Sequence, residues 1–312
     1  MFDWVTTLFV YIGIFLFGIA LLRTGLNNAA KNKIEKLLQK GVSSPLSGLI
    51  LGTAVTGILQ SSSAVIVMTV GLVSAKILTF RQSIGIILGS NIGTCLTLEM
   101  LAFSVEEMGW MLLLAAAVLL IMPSDKTFHL GTVLFGLGCV FVAMHSLKNI
   151  GPIVSTMPYF TDLLSQANDH LLWALAAGSS LSAIIQSSTA STALMMTALG
   201  SEWLTLDTRI TVMLGANIGT CMTALLAAIL SSKEAKLTAL AHLWINIAGV
   251  LVFIPILQPF TTIVTYLSPD PSVQLAHAAT LFNVLTSMLF LPFAYRIAQL
   301  IEFFHKGVFK HL

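Results

Sequence analysis

Charge is what this chain has least of: Lys, Arg, Asp and Glu together make up 9% of its 312 residues, against about 25% in a soluble domain. With 56% hydrophobic residues and a mean hydropathy of +0.93, an ordinary soluble globule is excluded and an integral membrane protein is indicated. Cysteine is scarce too. Cys95, Cys139 and Cys221 lie in apolar segments, without metal-ligand spacing or a disulfide framework, and are read as small packing residues. The net charge is only +2, and no basic run resembles a nucleic-acid site. A cleavable signal peptide is not expected, because MFDWVTT carries an acid where a basic segment belongs.

What the chain has instead is apolar runs: Leu8 to Leu22, Met111 to Met122, Leu130 to Met144, Leu237 to Leu257 and Leu281 to Ala298 are mostly uncharged. Some reach the ~20 residues that a spanning helix needs. Irregular backbone facing lipid leaves its polar groups unsatisfied, so the expected class is an all-α, polytopic protein of the cell membrane.

The chain also contains itself twice. Gly52–Thr97 matches Gly178–Thr223 at 17 of 46 positions without a gap, pairing Gln60 with Gln186, Asn91 with Asn217 and Cys95 with Cys221. Phe15–Leu26 (FLFGIALLRTGL) resembles Gly136–Leu147 (GLGCVFVAMHSL) more weakly. Lys76 and Arg81 of the first copy become Glu202 and Asp207 in the second. By the positive-inside rule, that change of sign predicts repeats of inverted topology. Crossings are placed at about 5–24, 82–101, 108–123, 128–147, 206–230, 237–258 and 273–297. With the N-terminus outside and the C-terminus cytoplasmic, thirteen Lys and Arg residues, Arg23 among them, fall on the cytoplasmic side against Lys148 and Arg209 outside. The chain then divides into a first repeat (1–127), a second (128–262) and a last helix with a short tail (263–312).

Two remaining segments, about 45–75 and 170–200, enter and leave on one side as re-entrant hairpins with Gln-Ser-Ser at the turn. Pro45 to Leu59 makes about 22 Å of helix, short of a ~30 Å hydrocarbon core. The returning helices begin near Ser61 and Ser187, where unpaired N–H groups and the helix dipole favour an anion. No Lys or Arg is assigned to the membrane core, so dipoles, hydroxyls or co-bound cations must neutralise that anion. Gly89–Thr94 (GSNIGT) and Gly215–Thr220 (GANIGT) concentrate poor helix formers. They predict a broken transmembrane helix in each repeat, whose freed carbonyls suit Na⁺. Val65-Ile66-Val67 stands opposite Ser191-Thr192-Ala193, so the second hairpin is expected to supply more of the cation ligands. Close helix packing is the competing reading of the glycines. His242, Asn246, His277 and Asn283 are read as structural hydrogen-bonding groups or interface residues rather than proton relays, and Glu99, Glu106, Glu107 and Glu202 as a solvated outer face.

The paired Gln-Ser-Ser turns at Gln60–Ser63 and Gln186–Thr189, the Asn-Ile-Gly-Thr motifs at Asn91–Thr94 and Asn217–Thr220, the opening FLFGIALL and the closing AHAATLFN (Ala276–Asn283) resemble the sodium-dependent phosphate cotransporter family, the type II sodium/phosphate symporters and their bacterial relatives. The resemblance implies secondary active transport of inorganic phosphate coupled to Na⁺, with no enzyme activity and no cofactor other than Na⁺ as coupling ion. Phosphate is then expected at Gln60, Ser61, Ser62, Ser63, Asn91, Gln186, Ser187, Ser188, Thr189 and Asn217. Na⁺ is expected at Thr94, Ser188, Ser191, Thr192 and Thr220. Ala190 supplies no side-chain ligand, which leaves the stoichiometry open. Phosphate, Na⁺ and membrane lipid are the expected partners, nucleic acid is not, and a homodimer is left open. A Na⁺ symporter of a dicarboxylate or of sulfate is the nearest alternative. An intramembrane serine hydrolase needs a base beside one serine, which this pattern lacks, and a channel or sensor is the third class.

Overall fold

A computed structural model describes residues 3–102, 108–154, 158–197 and 203–305. Among these, every regular element is helical. Glu106, Glu107, Glu202, Lys306 and Lys310 lie outside the described residues.

The first helix, α1 (Asp3–Gly41), is 39 residues long and packs along α6 (Asp125–Val154). Between them come α2 (Pro45–Leu59), α3 (Ser62–Ser74), α4 (Phe80–Ala102) and α5 (Met108–Ile121). Ser44 starts α2 with a reciprocal capping box to Ser47, and Pro45 takes the first helical position, where its missing N–H costs nothing. The second copy follows as α7 (Pro158–Asp169), α8 (Leu171–Ile185), α9 (Ser188–Met195), α10 (Leu206–Gly219) and α11 (Cys221–Ala228). Six apolar helical stretches among the described residues are long enough to cross a membrane: Val5–Ala29, Phe80–Ala102, Asp125–Leu147, Leu206–Ala228, Lys233–Leu267 and Pro271–His305. The seventh crossing expected from the sequence, at about 108–123, is the 14-residue α5.

Glycine sets how closely the layers approach. A Cβ at Gly85, Gly89 or Gly93 of α4 would fall on the carbonyl oxygens of Pro45, Leu49 and Thr53 in α2. Gly215 and Gly219 meet the Leu175 and Ser179 carbonyls of α8 in the same way. Thr53 donates to the Gly89 carbonyl at 3.1 Å, and Ser179 to that of Gly215 at 3.0 Å. These rows correct the expected broken helix of the first copy. The GSNIGT segment is continuous helix within α4, and the second copy is interrupted only at Thr220, which keeps α-helical angles (φ −63°, ψ −19°). The poor helix formers serve backbone-to-backbone packing, so α4 frees no run of carbonyls for a cation.

The C-terminal third holds a duplication that the sequence reading missed. α12 (Lys233–Phe253) passes through a 3₁₀ turn at Ile254–Ile256 into α13 (Leu257–Leu267). α14 (Pro271–Phe290) passes through Leu291–Phe293 into α15 (Ala294–His305). Ala241, Asn246, Phe253 and Pro255 match Ala278, Asn283, Phe290 and Pro292 at a constant offset of 37. Each proline removes a donor from the ladder where the helix tightens. α12 packs on α3 and α11, while α14 packs on α4. All three cysteines are buried. The Cys221 thiol meets Asn246 at 3.1 Å, and that of Cys95 meets Asn283 at 3.4 Å, so the two thiols hold equivalent places.

Candidate anion site at two facing turns

Both hairpins turn through the same unusual residue. Gln60 and Gln186 end α2 and α8 in the left-handed region, at φ 55°, ψ 28° and φ 57°, ψ 32°. Glycine is the usual occupant of such a cap, and a side chain there carries strain of order 1–3 kcal/mol. An amide retained in both copies against that cost points to a use for the side chain. Ser61 and Ser187 then begin the returning helices as N-caps, their hydroxyls accepting from the Ala64 and Ala190 amides at 3.3 and 3.1 Å. This capping role is more local than the ligand role expected for them, although each hydroxyl keeps its own proton to donate.

The two turns meet. Ser63 donates to the Gln186 carbonyl at 3.1 Å and lies 3.3 Å from the Thr220 hydroxyl. Arg23 spans the same junction, its Nε donating to the Gln60 carbonyl at 3.1 Å and Nη2 to the Ser187 hydroxyl at 2.6 Å. Arg23 lies inside the apolar span Val5–Ala29. The assignment of Arg23 to a cytoplasmic helix end is therefore corrected, and with it the expectation that the core lacks a basic residue. The physical reason is length: α1 continues for 18 residues past Arg23, to Gly41. The signal available in the sequence was a lone cation in an apolar run, which by default is functional. Arg209 is 4% exposed near the start of Leu206–Ala228 and donates to the Pro271 carbonyl at 3.2 Å.

The other expected residues divide into bonded and free. Gln60 accepts from Thr97 and donates to the Gly57 carbonyl at 2.5 Å. Asn91 donates to Asn246 at 3.0 Å and Asn217 to the Met213 carbonyl at 3.2 Å. Thr94 and Ser191 bond back to their own helices, at Ser90 and Ser187. Ser62, Ser188, Thr189 and Thr192 are buried, and no side-chain hydrogen bond engages their hydroxyls among the described residues. Hydroxyls that no protein group among the described residues engages, at and near the start of two helices, form a surface of unspent donors.

Away from the turns, Glu99 is half-buried and bonded rather than part of a free outer face. Its carboxylate accepts from Thr280 at 2.6 Å and lies 3.1 Å from His277 Nδ1, tying α4 to α14. His242 departs from its expected structural role, since both ring nitrogens are buried without a hydrogen-bond partner among the described residues.

Among the described residues, six apolar helices long enough to cross a membrane mark a multi-pass membrane protein, and the polar residues of its two turns meet. The chain belongs to the Na⁺/Pi-cotransporter family, whose family model matches residues 14–149 and 155–269. That is a transporter family, not an enzyme family. The uncharacterized protein YqeW of Bacillus subtilis is 37% identical over 290 residues, covering 92% of this chain and 94% of its own. The putative inorganic phosphate export protein YjbB of Salmonella typhimurium is 23% identical over 92% of this chain, which spans about half of YjbB (53%). Human sodium-dependent phosphate transport protein 2B is 48% identical over 56 residues, 18% of this chain and 8% of its own. No solved structure gives a significant match.

Proposed function

We propose that this protein carries inorganic phosphate across the cell membrane in steps coupled to Na⁺, binding it between the turns of two re-entrant hairpins. The meeting of the turns carries the reading: Ser63 joins one to the other, and Arg23 bonds to both. A tetrahedral oxyanion takes several donors at once. The Ser62, Ser188 and Thr189 hydroxyls and the N–H groups opening α3 and α9 offer them, while Gln60, Gln186, Asn91 and Asn217 frame the space. Ser61 and Ser187 hold the helix starts. Na⁺ takes oxygens from Thr94, Ser188, Ser191, Thr192 and Thr220 and offsets part of the phosphate charge, which couples the two solutes.

The hairpins belong to repeats of opposite topology, with the N-terminus outside and the C-terminus cytoplasmic. α14 and α15, which duplicate α12 and α13, complete the first repeat. Exchange of conformation between such repeats exposes one fixed site to each side in turn. Export is in the printed name of one relative and sodium dependence in that of another, so the imposed gradients set the net direction.

The test is radiolabelled phosphate uptake by the purified protein in liposomes under an inward Na⁺ gradient, with K⁺ as control. Accumulation above equilibrium with Na⁺ alone is expected. Equal uptake in K⁺ overturns Na⁺ coupling, and no uptake in either overturns phosphate. Excess sulfate or succinate is expected to leave uptake intact.

A further inference from the structure

A guanidinium within an apolar span is held in place only when something answers its charge. Arg23 has two protein partners, the Gln60 carbonyl and the Ser187 hydroxyl, and both are neutral. No carboxylate among the described residues pairs with it. Arginine carries five N–H donors in a planar fork, and those on Nη1 engage no protein acceptor among the described residues. The charge and the unspent donors lie where the two hairpin turns converge, and Ser188 directly follows the Ser187 that Arg23 contacts. The position has no counterpart in the second copy, because the weak match between Phe15–Leu26 and Gly136–Leu147 sets Met144 opposite Arg23. One cation therefore serves both turns.

We propose that Arg23 is the fixed counter-cation of the transported anion. This rests on the phosphate-transport reading above. Without ligand, the guanidinium bridges the last carbonyl of one turn and the N-cap hydroxyl of the other. When phosphate enters between the turns, the fork turns its free donors onto two phosphate oxygens, the geometry for which arginine is suited and lysine is not. A built-in positive charge also supplies part of the compensation that would otherwise fall to Na⁺.

Three measurements test this. In liposomes, Arg23→Gln is expected to raise the KM for phosphate roughly ten- to a hundred-fold, the loss that follows removal of a charged hydrogen-bonding partner, with maximal rate held within about threefold. Arg23→Lys keeps the charge without the fork and is expected to fall between wild type and Arg23→Gln. On the unmutated protein, inorganic phosphate is expected to slow modification of Arg23 by phenylglyoxal, read by peptide mass spectrometry, while chloride does not. This last arm holds even where a variant fails to fold. An unchanged KM in Arg23→Gln, an Arg23→Lys as impaired as Arg23→Gln, or modification indifferent to phosphate overturns the inference alone. Absence of wild-type phosphate uptake overturns the transport reading and this inference with it.

Discussion

The two hairpin turns share backbone angles and N-caps and differ in whether their side chains are tied down. At the first, Gln60 is 7% exposed and its amide is bonded to Thr97 and the Gly57 carbonyl. At the second, the Gln186 side chain is exposed and carries no bond among the described residues. Thr223, which stands to Gln186 as Thr97 stands to Gln60, has a buried hydroxyl without a partner. The difference recurs one layer away. Asn91 donates to Asn246, whereas Asn217 turns to its own helix and Asn283 is left with a buried, unpartnered Oδ1. Both halves contain the same groups, so composition does not separate them. One half has its bonds closed and the other has them open, and an unmet buried polar atom costs about 1–3 kcal/mol. The comparison locates two conformations of one motif within a single molecule.

Glycine substitution tests the shared frame and has the largest expected effect. Gly89→Val and Gly215→Val drive a side chain onto the Leu49 and Leu175 carbonyls, and each is expected to lower stability by about 3 kcal/mol or more. Thermal unfolding in detergent checks this, and the two halves should respond alike. Asn246→Ala strands the buried Asn91 amide and should cost about 1–3 kcal/mol. Asn283→Ala is expected to cost less, because one of the atoms it removes is already unpartnered. Thr97→Val releases Gln60 and should destabilise by about 1 kcal/mol, while Thr223→Val, which deletes an unbonded hydroxyl, is expected to be neutral or slightly stabilising. Equal effects of those two would erase the distinction between closed and open turns. The smallest expected change concerns cation affinity: Thr192→Ala should weaken the Na⁺ dependence of uptake more than Ile66→Ala, read as the half-saturating Na⁺ concentration. Ile66 is fully buried in the apolar core, so its substitution acts on stability instead.

The hairpins were legible in the sequence because an ungapped repeat fixed Gln60 against Gln186 and short helices fixed the turns between them. Arg23 was misassigned because charge normally marks a helix end, and nothing local in TGLNNAAKNK reveals that α1 runs on to Gly41. The first Asn-Ile-Gly-Thr segment misled for a different reason. Glycine weakens an isolated helix, yet here α2 lies against the exposed backbone of α4 and that ladder survives. The copy of α12 in α14 escaped notice because few identities hold it, and its equivalence shows only through the thiols it meets. Glu99 looked solvated from its position near a helix end, but its partners come from α14, 178 and 181 residues away in the chain.

The account rests on one ligand being shared by both turns. Ser62 and Ser188 are equivalent residues, one in each hairpin, with hydroxyls that no group among the described residues engages. Na⁺-driven phosphate uptake by Ser62→Ala and Ser188→Ala, each measured for KM in liposomes beside wild type, addresses the claim directly. A severalfold rise in KM in both variants is the predicted result. A rise in one with the other unchanged would place phosphate at a single turn and contradict the shared site.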